Sequence, residues 1–277
     1  MKQIFLFIAA FLTAYYSNAQ SLKVPAPSPA QYIKQDFGLG NIEIAYSRPG
    51  KKGRTIFGDL VPYGNLWRTG ANSATTITFS DEVIIGDVKI SAGKYGLLTI
   101  PDQKEWTIII SKQTDVTSPS DHNANEDLVR VKVPVKNISE TVENFSIQID
   151  NISSTQCNVQ LAWENTAVSL LVSTEIDSKV MKQIENTIIK DNRPYYSAAA
   201  YYIDNGKDLN QAVIWLDKSI ENNPRAYWVY YRKAIALQKL GKKKEAMQVS
   251  LQSMQIAKEE KDDTYVRNNQ KLQESLK

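Results

Sequence analysis

The sequence predicts two domains of different class, an antiparallel β-sandwich-like domain followed by a short helical domain. Apolar and polar residues alternate with period two in short runs between Ile42 and Val172. Ten of the twelve glycines lie between Gly38 and Gly96, where they favour turns. After Glu175 the apolar period lengthens to that of an amphipathic helix. This change of period predicts the boundary between the two domains.

The first domain, residues 31–175, consists of short runs typical of strands that bury one face. Turn residues separate the runs, as between antiparallel strands, and no helix-forming stretch of useful length interrupts them. The runs are Ile42–Tyr46, Thr75–Phe79, Val88–Ile90, Tyr95–Ile100, Trp106–Ile110, Val129–Val135, Phe145–Ile149, Cys157–Trp163 and Val168–Val172. Such a series predicts a sandwich or a barrel.

The second domain, residues 176–277, contains an internal repeat. Ala200 and Ala234 are 34 residues apart, and so are Ala212 and Ala246. A turn containing glycine separates the two alanines of each unit. The spacing is similar to that of tetratricopeptide repeats, in which small residues lie where paired helices touch. The alternative is a generic array of helical hairpins.

Two further helices are expected to cover the repeat units, because fewer than three units are rarely stable alone. The first begins at Asp177, which with Ser178 can cap a helix, and it carries Val180 and Ile184 on one face. The second extends from about Asp263 to Leu276.

The beginning of the chain has the pattern of a secretory signal peptide. Lys2 precedes an apolar run from Ile4 to Tyr16, which is shorter than a membrane span requires, and small residues follow. We therefore expect cleavage near Ala19 and export to the periplasm or a surface-facing location, with no transmembrane segment. Residues 20–30 form a proline-rich lead that disfavours helix.

The charge of the chain argues against one class of partner, and its cysteine content predicts a buried thiol. The formal net charge is +3 and falls to +2 when residues 1–19, with their single charge Lys2, are removed. A protein that binds nucleic acid would carry a strong excess of basic residues, so we expect no nucleic acid as a partner. Cys157, the single cysteine, alternates with core residues and is expected to be a buried thiol.

The segment Tyr46–Thr75 is the strongest candidate for a functional site. It combines glycines, prolines, arginines and aromatic residues, so we expect an ordered loop with a defined path. Clustered arginines with aromatic neighbours can bind a carboxylate, a phosphate or a sugar acid. The candidate ligand-binding residues are Arg48, Arg54, Tyr63, Trp67, Arg68 and Asn72. The alternative is that these side chains brace the loop itself.

No catalytic arrangement stands out in the sequence. His122, the only histidine, lies in a polar loop where it is expected to be solvated, which disfavours a catalytic triad. We expect no bound metal and no cofactor, because zinc ligands are too few and no phosphate-binding loop motif occurs. A pair of catalytic carboxylates, as in sugar hydrolysis, stays open, although no spacing selects two of them.

Three segments resemble the domain of unknown function 2911 family. They are Tyr46–Thr75, with its glycines, prolines and Trp-Arg pair in a fixed order, then Ala92–Pro101 and Trp106–Ile109. The resemblance covers about residues 24–172. It implies an exported bacterial protein of the Bacteroidota type, often with a helical repeat after the β-domain, and it implies no activity.

These observations favour an exported binding protein without enzymatic activity. The helical repeats would bind a protein partner, and the loop would bind a small anionic or saccharide ligand. The alternatives are a carbohydrate-active hydrolase that uses loop carboxylates and a purely structural envelope protein.

Overall fold

The computed structural model describes residues 24–189 and 194–277. The predicted signal peptide, residues 1–19, lies outside the described residues, and so does most of the turn that follows the first helix. The chain divides into two compact units between Glu175 and Ile176.

The first unit is a two-layered antiparallel β structure. Its described residues form ten strands in two sheets, with the orders β1-β2-β3-β6-β7-β8 and β5-β4-β10-β9. The strands are β1 (Ala30–Phe37), β2 (Gly40–Ser47), β3 (Thr76–Phe79), β4 (Val83–Ile85), β5 (Val88–Ile90), β6 (Gly93–Ile100), β7 (Glu105–Ser111), β8 (Asp127–Pro134), β9 (Lys136–Asp150) and β10 (Gln156–Ser173).

One apolar core lies between the two sheets. Ile44 and Ile77 reach it from the six-stranded sheet, and Ile147 and Leu161 reach it from the four-stranded sheet. The alternation along each strand produces this arrangement, since successive side chains point to opposite faces. The predicted antiparallel β-sandwich-like architecture is confirmed.

Three features of the sheets differ from the prediction, the first being the short strand β4, for which no run was predicted. Ala30–Phe37 is a strand, β1, that pairs with β2 along its whole length, although no strand was predicted there. The runs Cys157–Trp163 and Val168–Val172 form one strand, β10, rather than two. Register shifts between Ala162 and Thr166 interrupt its pairing with β9. These bulges place polar residues mid-strand and hide its continuity from a period-two pattern.

The second unit is helical, as predicted. Its described residues contain six α-helices: α1 (Asp177–Ile189), α2 (Tyr195–Asp204), α3 (Leu209–Asn222), α4 (Tyr227–Lys239), α5 (Lys243–Glu259) and α6 (Asp263–Leu276). None of the helices in the described part of the chain has the length and apolar character needed to cross a membrane.

Small residues allow these helices to approach closely. Ala212, Ala234 and Ala246 are fully buried, while Ala200 is partly exposed. Asp177 lies in the first turn of α1 instead of before it, and its carboxylate accepts hydrogen bonds from Lys207 Nζ and Tyr201 Oη, each at 2.8 Å. These two donors, Lys207 foremost, lower the pKa of Asp177.

Candidate functional site

The loop between β2 and β3, residues 48–75, is hydrogen-bonded to both sheets. Pro49 O accepts from Phe145 N at 2.9 Å, which ties the start of the loop to β9. Trp67 and Thr99 exchange two main-chain bonds, of 2.7 and 3.0 Å, which tie its later part to β6. Ile56 is fully buried in the sandwich core. The loop is therefore ordered along its length, as its composition predicts.

Trp67 anchors the loop in an aromatic cluster. Its ring lies 4.9 Å from Phe145, 5.9 Å from Trp163 and 6.2 Å from both Phe57 and Trp106, measured between centroids. Its indole Nε1 donates to Gly70 O at 3.2 Å. The ring is only partly buried, so Trp67 both packs against the core and presents surface to solvent.

The backbone just after Trp67 is strained. Thr69 has φ +59°, which is unfavourable for a β-branched residue, and its side chain is fully buried. Three bonds hold it there: its Oγ1 donates to Trp67 O at 3.3 Å and lies 3.1 Å from Thr99 Oγ1, and its carbonyl accepts from Thr75 Oγ1 at 2.7 Å. Gly70 follows at φ +151°, where a Cβ would come within 3.1 Å of Ser47 O. This turn fixes the position of the adjacent Arg68.

Three of the six candidate residues, Arg48, Tyr63 and Asn72, do not line a cavity with the other three. Arg48 Nε donates to Phe145 O at 3.0 Å, and Asn72 Nδ2 donates to Ser28 O at 3.1 Å. Tyr63 is exposed and covers Gly58, whose added Cβ would come within 2.8 Å of the tyrosine ring. Bracing explains Arg48 and Asn72 best.

The other three candidates, Arg54, Trp67 and Arg68, line one cavity of about 490 Å³, which we call the loop cavity. Its complete wall consists of Ser28, Pro49, Arg54, Leu60, Val61, Pro62, Asn65, Leu66, Trp67, Arg68, Gly70, Ala71, Thr117, Ser118, Pro119 and Trp163. Most of these residues come from the loop between β2 and β3, so the loop forms the greater part of a ligand-sized space.

Both cavity arginines are held by main-chain carbonyls. Arg54 Nε donates to Lys51 O at 3.0 Å and its Nη2 donates to Gly50 O at 2.6 Å. Arg68 Nη1 donates to Thr117 O. A guanidinium has five N–H donors, so each of these groups keeps further donors after its bonds to the protein are made.

No carboxylate lies on the wall of the loop cavity among the described residues. Two acidic side chains near the loop, Glu143 and Glu164, support its backbone instead. Glu143 accepts from Lys52 N at 2.8 Å, and Glu164 accepts from Ile56 N at 3.3 Å while pairing with Lys51 at 3.5 Å. The wall therefore has a positive character.

The sequence missed the part of the wall that comes from distant segments. Ser28 belongs to the proline-rich lead, and Thr117, Ser118 and Pro119 belong to the polar loop that contains His122. No local pattern marks these residues, because only the folded chain brings them beside Arg68.

His122 is not solvated, contrary to the expectation. Its side chain is only 9% exposed, and its Nε2 lies 2.8 Å from Asp127 Oδ1. Asp127 Oδ2 also accepts from Arg130, at 2.7 Å. This contact joins the loop that contains His122 to the first residue of β8.

Cys157 is buried, as expected, and burial raises the pKa of its thiol to about 11. A thiol in this environment is a poor nucleophile at neutral pH. Among the residues that the structure describes, no three His, Cys, Asp or Glu side chains gather where they could bind a metal ion.

Among the aromatic residues of the helical unit, some are buried and others are partly exposed. Trp215 and Tyr230 are buried between helices. Tyr227 and Tyr231 of α4 are partly exposed and meet the edge of Tyr265 of α6, with centroids 5.1 and 5.5 Å apart. These three rings form an accessible aromatic group on the second unit.

Comparison with known proteins identifies the β unit. A family model described as "Protein of unknown function (DUF2911)" matches residues 28–172, more than half of the chain. No curated protein shows a significant match to the chain, and no solved structure does. The matched region contains the whole loop between β2 and β3 and nearly all of both sheets. The chain therefore belongs to the DUF2911 family of proteins of unknown function.

Proposed function

We propose that the protein binds a small anionic ligand in the loop cavity. The observation that carries the proposal is that two arginines, Arg54 and Arg68, line a 490 Å³ space with no carboxylate on its wall among the described residues. Unopposed guanidinium groups attract anions, and their planar fork matches the geometry of a carboxylate or a phosphate.

The bonds to main-chain carbonyls favour this binding. Arg54 is bonded at Nε and Nη2, and Arg68 is bonded at Nη1. Each guanidinium is thereby positioned before a ligand arrives, so less side-chain entropy is lost on binding. Bracing and binding are then compatible roles of the same two side chains.

The hydrolase alternative has less support. Glycoside hydrolysis generally needs two carboxyl groups on opposite sides of the scissile bond. The described wall of the loop cavity offers none, and Glu143 and Glu164 are engaged with the backbone of the loop. A binding role fits the cavity better than a hydrolytic one.

We assign the helical unit to partner binding through tetratricopeptide-type repeats. The 34-residue spacing of Ala200 with Ala234 and of Ala212 with Ala246 supports this assignment. The accessible rings of Tyr227, Tyr231 and Tyr265 suit a protein interface, where tyrosine is enriched. The signal-peptide pattern of residues 1–19 supports a role outside the cytoplasm.

Isothermal titration of the protein with acetate, benzoate, glucuronate and inorganic phosphate tests the anion site. The variant that combines Arg54→Ala with Arg68→Ala should weaken binding of the best anion by at least about tenfold, since each bond to a charged group is lost. Near-UV circular dichroism should show the aromatic cluster intact.

The control is Lys132→Ala, which removes an exposed cation of the same unit that does not line the loop cavity. Its affinity for the anion should match that of the wild type. Equal affinities for the double variant and the wild type would refute the anion site. Loss of the near-UV signal in the double variant would instead show that the two arginines are primarily structural.

A further inference from the structure

The apolar character of the loop cavity narrows the class of anion. Pro49, Leu60, Pro62 and Leu66 lie on its wall beside the rings of Trp67 and Trp163. Leu60 is 44% exposed, which leaves a large aliphatic side chain partly in water at a concave surface. A ligand that covers this wall removes apolar surface from water, which favours binding.

Side chains able to bind hydroxyl groups are few on the same wall. Besides Arg54 and Arg68, they are Ser28, Asn65, Thr117 and Ser118. A saccharide buries several hydroxyl groups, and each needs a partner because an unpaired buried polar group is costly. Carboxylates, which accept bonds from sugar hydroxyls, are absent from the described part of this wall. The wall therefore disfavours a polyhydroxylated body.

Size disfavours a simple inorganic anion as the natural ligand. The loop cavity of about 490 Å³ lies within the range of sites that enclose small organic molecules. A phosphate ion would contact one or both guanidinium groups but would leave the apolar wall in water.

We propose that the ligand is an amphipathic organic anion, with one acidic group on an apolar ring, such as an aromatic or alicyclic carboxylate. The acidic group contacts Arg54 or Arg68, and the apolar body lies against Leu60 and Trp67. This inference rests on the proposed anion site and specifies its ligand class.

The test compares three probes on the wild-type protein by isothermal titration calorimetry. They are 2-naphthoate, its neutral analogue 2-naphthylmethanol, and glucuronate, which is anionic but polyhydroxylated. We expect 2-naphthoate to bind at least about tenfold more tightly than either of the others, because it alone meets both the cations and the apolar wall. Undetectable binding of 2-naphthoate would overturn the inference.

The two weaker probes separate failure of the inference from failure of the proposed function. Glucuronate binding as tightly as 2-naphthoate would overturn the amphipathic class and leave the anion site standing. If 2-naphthylmethanol bound as tightly as 2-naphthoate, the acidic group would contribute nothing, and the anion site itself would be refuted together with the inference.

A variant of Leu60 tests where the apolar body of the ligand lies. Leu60→Ser should weaken 2-naphthoate by about three- to tenfold, since an apolar contact is lost. The control Leu171→Ser changes a leucine that is 51% exposed and does not line the loop cavity, and its affinity should equal that of the wild type. Equal loss in both variants, or no loss in Leu60→Ser, would contradict the assigned position of the apolar body.

Discussion

The three arginines of the loop between β2 and β3 differ in what their guanidinium groups contact. Arg48 bonds to β9 of the four-stranded sheet and does not line the loop cavity. Arg54 bonds to carbonyls of its own loop, Arg68 bonds to Thr117 O in the loop between β7 and β8, and both line the loop cavity. Composition alone predicted a cationic loop but could not assign these roles, because each depends on a carbonyl brought close by folding.

At this scale we predict that Arg48 contributes to stability. Arg48→Ala removes the donor to Phe145 O, a carbonyl next to a fully buried side chain, and should lower the free energy of unfolding by about 1–3 kcal/mol. Urea denaturation of the two proteins measures the difference. The affinity for anions should not change, since Arg48 is outside the loop cavity.

Lys132→Ala is the control for this variant. Lys132 is 71% exposed and pairs with Glu105 at the surface, so its removal should have little effect on stability. Equal denaturation midpoints for Arg48→Ala and Lys132→Ala would contradict the bracing role of Arg48.

At the scale of elements, the two sheets are joined by side chains as well as by the core. Tyr46, near the end of β2, has its hydroxyl against the main chain of β9: it accepts from Ile147 N at 2.8 Å and donates to Gln31 Oε1 at 2.9 Å. Pro49 O accepts from Phe145 N, and Arg48 donates to Phe145 O. Together with the bond from Ile147 N to Tyr46, these contacts occupy main-chain groups of β9, which is an edge strand of its sheet.

Tyr46→Phe tests this connection. The ring would stay in the core, but the Ile147 N–H would lose its acceptor, so the free energy of unfolding should fall by about 1–3 kcal/mol. Tyr63→Phe, in which the tyrosine is exposed, should be neutral. A neutral Tyr46→Phe would show that water replaces the hydroxyl without cost.

The contact between the Tyr46 hydroxyl and β9 should depend on pH. Burial raises the pKa of Tyr46 above the ordinary value of about 10. Because the pKa of Tyr46 is higher in the folded protein than in the unfolded chain, the stabilisation by its hydroxyl is fully present below pH 10. It is lost as the pH rises through the folded-state pKa. The stability difference between wild type and Tyr46→Phe should therefore shrink above pH 10.

The elements themselves were largely predictable, and their connections were not. The strong alternation of Trp106–Ile110 correctly predicted a strand, and the helical period of the last segment correctly predicted helix α6. Strand β1 was missed because polar Gln31 and Gln35 share its partly buried face with Ile33, so the apolar contrast is weak. The continuity of β10 was missed because its bulges break the period.

At the scale of the whole molecule, the two units have separate cores. The β unit buries residues of both its sheets, and the helical unit buries Ala212 and Leu216 among its own helices. Units with their own cores are generally able to fold alone. The change of period near Glu175 predicted a β region followed by a helical region, because periodicity reflects which face of each element is buried.

Removal of residues 176–277 should therefore leave a folded β unit that binds 2-naphthoate with wild-type affinity. Near-UV circular dichroism and calorimetry measure both properties. The shortened protein should also lose capture of a partner that the full chain binds through α4 and α6. A β unit that is folded but fails to bind the anion would show that the loop cavity depends on the helical unit.

The central claim is that the loop cavity receives an anion on Arg54 or Arg68. A crystal structure of the protein with 2-naphthoate tests it most directly. We predict a carboxylate oxygen about 2.7–2.9 Å from a guanidinium nitrogen of Arg54 or Arg68, with the naphthyl ring against Leu60 and Trp67. A carboxylate directed into solvent away from both arginines, or a ligand bound only outside the loop cavity, would contradict the claim.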